Sequence, residues 1–505
     1  MTVPAEHSHP SPPVAAPQRT DRRIVLNTGA LVASSLWRIG ISFVLQMVIA
    51  RLLGAQGLGQ YATALAWLNV CQILSELGLP QLLVRDLARF PARRRLSFQT
   101  ALPLQVGAAF LIWGAVYGLT GLLPYQPETR LALILITGSL PFFAVTSACE
   151  TLFQANERME LVMAVEMAIN TLIVGASLVV VWRGGGVVAL CGVLVATQAI
   201  SALLCLGLVG RGQILGGAKG EVETDADTSR PRTIDFLRSA RPFYGLALAN
   251  VLLHRLDILL LSIFAGEAIT GIYSAAYLIV RVLFILAQTW WQSLYPTLSR
   301  LRVQGMEQYE RLAAFSIRYG LMAFLPIAAL SGGGAAWLLG IVYQGADQSA
   351  AVAAYRVLIW TAPLFLVASY GVNLLLIEHR PQGSLLIAGT HIGVALSLLP
   401  LLTARWQAVG TALAMIGAIS ASAGVGLLLL RRMDVRAGLP RRLPLLLAAT
   451  LAAGLLQSWL DRVLPAPGFW PVSTIAALLL YTALIWRGGI VSATDFVIFR
   501  KALRP

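Results

Sequence analysis

Long apolar runs alternate along this chain with short polar breaks at nearly regular spacing. A membrane helix needs about 20 predominantly apolar residues. Runs of about that length or longer occur at 26–50, 60–79, 100–122, 131–153, 161–182, 187–209, 243–265, 271–295, 313–340, 350–377, 384–402, 407–430, 443–464 and 468–486. The pattern predicts an all-α polytopic membrane protein with about fourteen transmembrane helices. Two polar stretches interrupt it. Residues 1–23 contain Pro4, Pro10, Pro12, Pro13 and Pro17, with no apolar core behind a charged start, and read as a disordered cytoplasmic tail rather than a signal peptide. Residues 211–241 read as a flexible cytoplasmic linker. It divides an N-lobe, 24–210 (spans one to six), from a C-lobe, 242–430 (spans seven to twelve), and leaves 431–505 for an extra helical pair and a tail.

Composition sharpens this reading. Of 505 residues, 57% are hydrophobic and 12% charged, against about 25% charged in a soluble domain. That excludes a cytoplasmic enzyme, a disordered chain and a secreted disulfide scaffold. The net charge of +15 needs no nucleic-acid partner, because cytoplasmic loops of membrane proteins collect Arg and Lys. With the N-terminus inside, 29 of the 38 basic residues fall at or near the cytoplasmic face, among them Arg85, Arg89, Arg93, Arg94, Arg95, Arg431 and Arg432. Five lie outside and four (Arg38, Arg255, Arg281 and Arg356) within spans. Both termini are therefore expected in the cytoplasm. Cys71, Cys149, Cys191 and Cys205 sit in apolar runs without a CxxC partner, and His7 and His9 lie in the polar tail. No metal site or cofactor is expected.

The two sides of the linker share a segment. Gly54-x4-Gly59-x-Tyr61-x2-Ala64 recurs as Gly266-x4-Gly271-x-Tyr273-x2-Ala276, at a constant offset of 212. Each copy joins the first two spans of its half, so the halves run in the same sense, as parallel repeats do. Two six-helix lobes plus a C-terminal helical pair follow, with a substrate site between the lobes near the midplane and transport by alternating access.

Charges inside spans carry the candidate chemistry. An arginine at the bilayer centre costs about 2.5–3.5 kcal/mol even on the lenient scale. Arg38, Arg255 and Arg281 lie deep in their spans, so they face protein or a wet cavity; Arg356 is shallower and within snorkelling reach of the interface. Helical spacing places Ser34, Arg38, Ser42 and Gln46 on one stripe, Asn250, His254 and Asp257 on another with Arg255 beside them, and Tyr273, Tyr277, Arg281, Gln288 and Gln292 on a third. Further stripes carry Asn69 and Glu76, Ser147 and Glu150, and Glu166 and Asn170. The arginines either line a cavity or hold helices together as ion pairs. Asp257, Glu76, Glu150 and Glu166 are candidate counter-ions or sites for a coupling cation. Arg255 and Asp257 are two residues apart, about 200° around the helix, and do not face each other. His254 and His391 read as hydrogen-bonded core histidines. An excess of guanidinium suits an anionic, phosphate-bearing substrate, which it holds in a bidentate fork.

These residues carry a family likeness. Ala50-Arg51-Leu52-Leu53-Gly54 followed by Gly59-x-Tyr61, Leu77-Gly78-Leu79-Pro80 running into Arg85 and Asp86, Arg255-Leu256-Asp257, Gly271-Ile272-Tyr273-Ser274-Ala275-Ala276-Tyr277 and Pro296-x2-Ser299-Arg300 resemble the bacterial polysaccharide flippases. Those belong to the multidrug/oligosaccharidyl-lipid/polysaccharide exporter superfamily. The resemblance implies a plasma-membrane flippase, not an enzyme, that moves an undecaprenyl-pyrophosphate-linked oligosaccharide by alternating access for surface polysaccharide biosynthesis. It implies a central cationic cavity, for which Arg38, Arg255, Arg281 and Arg356 are the candidates here. Membrane lipids and other polysaccharide-assembly proteins are the partners it admits, and Na⁺ or H⁺ the coupling ion. Two alternatives are an exporter of drugs or other small molecules from the same superfamily and a membrane-embedded polymerase or ligase. Cationic drugs favour acidic or aromatic walls, and a polymerase or ligase needs convergent catalytic groups that the spans do not offer.

Overall fold

In the computed structural model, the described residues are 37, 40–89, 94–211, 233–343, 348–433, 442–463 and 469–490. They are helical almost throughout, with no strand among them. The physical reason is backbone hydrogen bonding: in hydrocarbon only a helix satisfies its own N–H and C=O groups segment by segment. In chain order the helices are α1 (Gly40–Leu52), α2 (Gly54–Glu76), α3 (Leu79–Arg89), α4 (Arg94–Thr120), α5 (Pro127–Thr137), α6 (Leu140–Ala155), α7 (Met159–Trp182) and α8 (Val187–Arg211). There follow α9 (Thr233–Gln304), α10 (Met306–Gly333), α11 (Ala335–Val342), α12 (Gln348–Leu358), α13 (Thr361–Ile377), α14 (Pro381–Arg431), α15 (Leu443–Val463) and α16 (Trp470–Arg487).

Among the described residues ten helical stretches are long and apolar enough to cross a membrane, eleven with α2 and α3, which meet at a 45° bend. Two of the ten are folded double. At about 1.5 Å per residue, α9 would run to roughly 108 Å, more than three times the hydrocarbon thickness of about 30 Å. It turns back instead at Gly266, whose backbone (φ 80, ψ 177) is open essentially to glycine alone. α14 breaks likewise at Trp406 and Gln407. With these folds counted, and α1 as the described part of the first span, the helices account for the fourteen expected crossings.

Three details depart from the hydropathy reading. The linker expected over 211–241 is helical from Thr233, because Leu237 and Ala240 pack into the core of the first half. Its remaining residues, 212–232, lie outside the described residues, as does the tail 1–23. The polar break after span two contains a helix, α3. Leu79, Leu82, Leu83 and Leu87, at helical spacing, are buried in that same core, while Arg85 lies outward. The ninth expected span ends early, at Gly334, where the indole of Trp470 packs against the glycine.

The repeat is the axis of the molecule. α2 lies against the second arm of α9, and the two meet backbone to backbone. A Cβ placed on Gly59 would fall 1.7 Å from the Glu267 carbonyl oxygen, and one on Gly271 would fall 1.8 Å from that of Ala55. Glu267 is the repeat equivalent of Ala55, so the contact is reciprocal, as around a two-fold axis. Tyr61 and Tyr273, and Ala64 and Ala276, are all buried beside it. This end of the bundle is called the glycine end below; the opposite end, carrying Arg85, Arg431 and Arg432, is the arginine-rich end. The pair α15–α16 docks on α10, where the Tyr481 hydroxyl donates to the Met322 carbonyl at 2.8 Å. Outward-facing side chains are apolar, including Leu111, Leu122, Trp182 and Trp486, the surface a lipid-facing bundle presents.

Candidate functional site: a cationic cavity between the halves

Between α1, α2 and α7 on one side and the two arms of α9 on the other lies a cavity of about 810 Å³. Ligand-enclosing pockets span about 300–1,000 Å³. Its lining extends to Gln81, Phe243 and Gln292 at the arginine-rich end, where Gln81 and Gln292 are exposed. Toward the glycine end it stops at Tyr277. The cavity is thus open at the arginine-rich end and closed at the other.

Arg255 and Arg281 both line it, one from each arm of α9. Counting from the Gly266 fold at about 1.5 Å per residue, they sit about 16 and 22 Å down, near the middle of the bundle. Among the described residues no carboxylate lines the cavity. Its field is therefore positive, and low-dielectric walls strengthen it. His254 adds a polar but fixed group: its Nδ1 meets the Asn250 carbonyl at 2.9 Å and its Nε2 meets the Gln288 amide nitrogen at 3.3 Å. With the Gln288 amide donating, Nδ1 carries the proton and the ring is neutral. His254 is hydrogen-bonded as expected, but on the cavity wall rather than in the core.

The other candidates are placed elsewhere. Arg38 lies outside the described residues. Arg356 is exposed on α12, off the cavity, with its Nε donating to the Gly332 carbonyl at 3.2 Å. The depth of a charge along a span does not say which side of the helix carries it, and here that side faces away. Asp257 is buried behind the wall, 1% exposed. Its Oδ2 accepts from the Tyr273 hydroxyl at 2.8 Å and its Oδ1 from the Ile258 amide at 2.8 Å. It ties one arm of α9 to the other. Glu76, Glu150 and Glu166 gather within the first half, away from both cavity arginines. Glu76 accepts from the Ser147 hydroxyl at 2.9 Å, and Glu150 is within electrostatic reach of the other two. Among the described residues none of the three forms a salt bridge. His391 is buried on α14, off the cavity.

Closure at the glycine end involves groups that hydropathy does not single out. Glu267, buried just past the fold, accepts from the Gln56 side chain at 2.9 Å and from the Gln126 backbone amide at 3.0 Å. Tyr125, next to Gln126, shares a hydrogen bond of 2.8 Å with Ser262 and takes one of 3.1 Å from Trp67. All of these but the Trp67–Tyr125 bond cross from the first half to the second, beside the Gly59–Gly271 contact. The one signal for them in the sequence is an acidic residue directly after the repeat's first glycine.

Comparison with known proteins agrees with this architecture. Residues 24–302 match the family described as "Polysaccharide biosynthesis protein". The fold is similar to that of the lipid II flippase MurJ in its inward closed conformation, with a TM-score of 0.69 and 9% identity over 95% of this chain and 100% of that one. It is also similar to an inward-facing multidrug resistance MATE family transporter of the MOP superfamily, with a TM-score of 0.62 and 13% identity over 79% of this chain and 95% of the other. A third is a MOP superfamily transporter from Pyrococcus furiosus Vc1, with a TM-score of 0.51 and 14% identity over 81% and 93%. No curated protein matches the sequence significantly. At these identities the structural likeness is one of fold.

Proposed function

The chain belongs to the polysaccharide biosynthesis protein family, and on that premise we propose that it is a flippase for a polyprenyl-pyrophosphate-linked oligosaccharide. It has the transporter fold of the MOP superfamily. In this reading the arginine-rich end faces the cytoplasm of a bacterial plasma membrane, and the present conformation faces inward. The observation that supports it most is the pair Arg255 and Arg281 on the wall of a cavity that, among the described residues, no carboxylate lines. A pyrophosphate crossing the midplane unaided meets the costliest part of the bilayer. Two guanidinium groups at that depth offer bidentate, charge-assisted hydrogen bonds in its place. The lipid tail stays in the bilayer while the headgroup enters from the open end. Translocation then requires the glycine end to part and the arginine-rich end to close. Glu76, Glu150, Glu166 and Asp257 are the carboxylates available to sense a Na⁺ or H⁺ gradient that drives the cycle.

The test is flipping of an undecaprenyl-pyrophosphate oligosaccharide in proteoliposomes, with and without Na⁺ and proton gradients. Arg255→Ala should abolish flipping while folded protein remains in the membrane; Arg255→Lys should restore part of it, since charge survives but the fork does not. Unimpaired flipping by a stable Arg255→Ala protein would refute the assignment. Transport of an organic cation in place of the lipid would favour the drug-exporter alternative.

A further inference from the structure

The mouth of the cavity is built around the bend between α2 and α3. A Cβ on Gly78, at the bend, would fall 2.6 Å from the Tyr244 nitrogen and 2.9 Å from the Ala240 carbonyl oxygen, so the bend is pressed against the start of α9. With its leucines in the core, α3 turns Gln81 and Arg85 outward, four residues apart and on one side of the helix. Gln81 lines the cavity. One turn further on, the Arg85 guanidinium carbon lies 5.4 Å from the centre of the Phe243 ring, and Phe243 lines the cavity too. Arg85 therefore stands on the rim, held by its contact with an aromatic residue of the wall. It is 47% exposed, and among the described residues its ionic partner is its neighbour Asp86, 2.8 Å from Nε. Exposed pairs of that kind are weak, and a phosphate competes for the same donors.

Depth decides what Arg85 meets. Phe243 precedes Arg255 on the same arm of α9 by a distance of roughly 18 Å at 1.5 Å per residue. Arg255 is near the middle of the bundle, and half the hydrocarbon thickness is about 15 Å. The rim is thus level with the headgroups, where the anions within reach are phosphate esters of lipids. We propose that Arg85, with Gln81 beside it, is an outer phosphate station, which takes the pyrophosphate of the lipid-linked substrate at the lip before it descends to Arg255 and Arg281. Other arginines at this end are placed differently. Arg241 is exposed two residues before Phe243, about 200° around α9, so it faces away from the cavity as an ordinary basic residue of the cytoplasmic interface. A half-exposed guanidinium binds weakly enough to pass its ligand on. Its contribution is to capture, by raising the substrate's concentration at the mouth. This assignment rests on the flippase reading above.

Flipping by the full-length protein in phosphatidylcholine proteoliposomes, measured against the mole fraction of an undecaprenyl-pyrophosphate oligosaccharide, tests it. Arg85→Gln keeps a stem over Phe243 and removes the charge. It should raise the half-saturating substrate level about 5- to 10-fold, below the full worth of a charge-assisted hydrogen bond because the site is half exposed. The rate at saturation should fall far less, since the midplane contacts are intact. Asp86→Asn removes the competing carboxylate and should lower the half-saturating level. Arg241→Gln, the same loss of charge on the far side of α9, should change neither quantity. Added salt should raise the half-saturating level of the wild type and barely move that of Arg85→Gln. A residue that binds ordinary phospholipid instead would show a defect only after phosphatidylglycerol is added, and that result would overturn the station. So would Arg85→Gln behaving like the wild type, or losing only its rate at saturation. A wild-type protein that flips no lipid-linked oligosaccharide would overturn the flippase reading itself, and the station with it.

Discussion

Replacing Gly59 by alanine is expected to open the closed end of the cavity. The new methyl carbon would lie 1.7 Å from the Glu267 carbonyl oxygen and 2.7 Å from the Gly271 nitrogen. Carbon–oxygen contacts in packed helices settle at about 3.3–3.6 Å, so α2 and the second arm of α9 must part by roughly 1.6 Å. The obstructing atoms are backbone, and no side chain can rotate out of the way. Overpacking of this kind costs about 1–3 kcal/mol, charged only to the state in which the two backbones touch. A cost of that size moves a two-state equilibrium about 5- to 150-fold. Gly271→Ala should act similarly, because its methyl would meet the Ala55 carbonyl at 1.8 Å. The double variant should add little, since both glycines serve one contact. The assay is labelling of a cysteine placed at Val251 on the cavity wall, with an impermeant maleimide added from the glycine-end side. The native thiols, Cys71, Cys149, Cys191 and Cys205, are all buried. Gly114→Ala, where a Cβ meets nothing within 4 Å, is the control. If a stable Gly59→Ala protein labels no faster than the parent, or Gly114→Ala accelerates labelling equally, the contact is not the seal.

Three further outcomes follow from the placement of single groups. Tyr273→Phe removes a donor from the buried Asp257 carboxylate and should lower stability by about 1–3 kcal/mol. Pairing it with Asp257→Asn should cost less than the sum of the two, as read from thermal inactivation of each variant. Arg356→Ala should leave transport within about twofold of wild type, because its guanidinium makes one exposed bond to a carbonyl, worth about 0.5–1.5 kcal/mol of stability at most; loss of flipping would return it to the substrate path. Reporter fusions at Gly220 and after Pro505 should both report the cytoplasm. A fusion found outside would mean an odd error in the number of crossings before it.

Much of this molecule was legible in one dimension. Whether a segment crosses a bilayer depends on its own length and transfer free energy, so the spans could be read from apolar runs. The cost of a charge at the midplane is equally local, and it selected Arg38, Arg255 and Arg281, the last two of which line the cavity. The glycine–tyrosine repeat could be found by its offset alone. What it does could not, because the mutual approach of Gly59 and Gly271 is a contact between residues 212 apart that depends on how two helices cross. Similarly, the sequence placed Arg356 within a span but not on a side of its helix, and packing turned it away from the cavity. Asp257 could be excluded as a partner of Arg255 by helical phase, yet only the fold at Gly266 brings it to Tyr273. The polar stripes that carry Gln46, Asn69 and Asn170 implied an aqueous cavity lined by many helices, but not which side chains would meet in it. Tertiary structure brought them into one cavity with Arg255 and Arg281, because the rotation of each helix about its axis is set by its neighbours and not by its own residues.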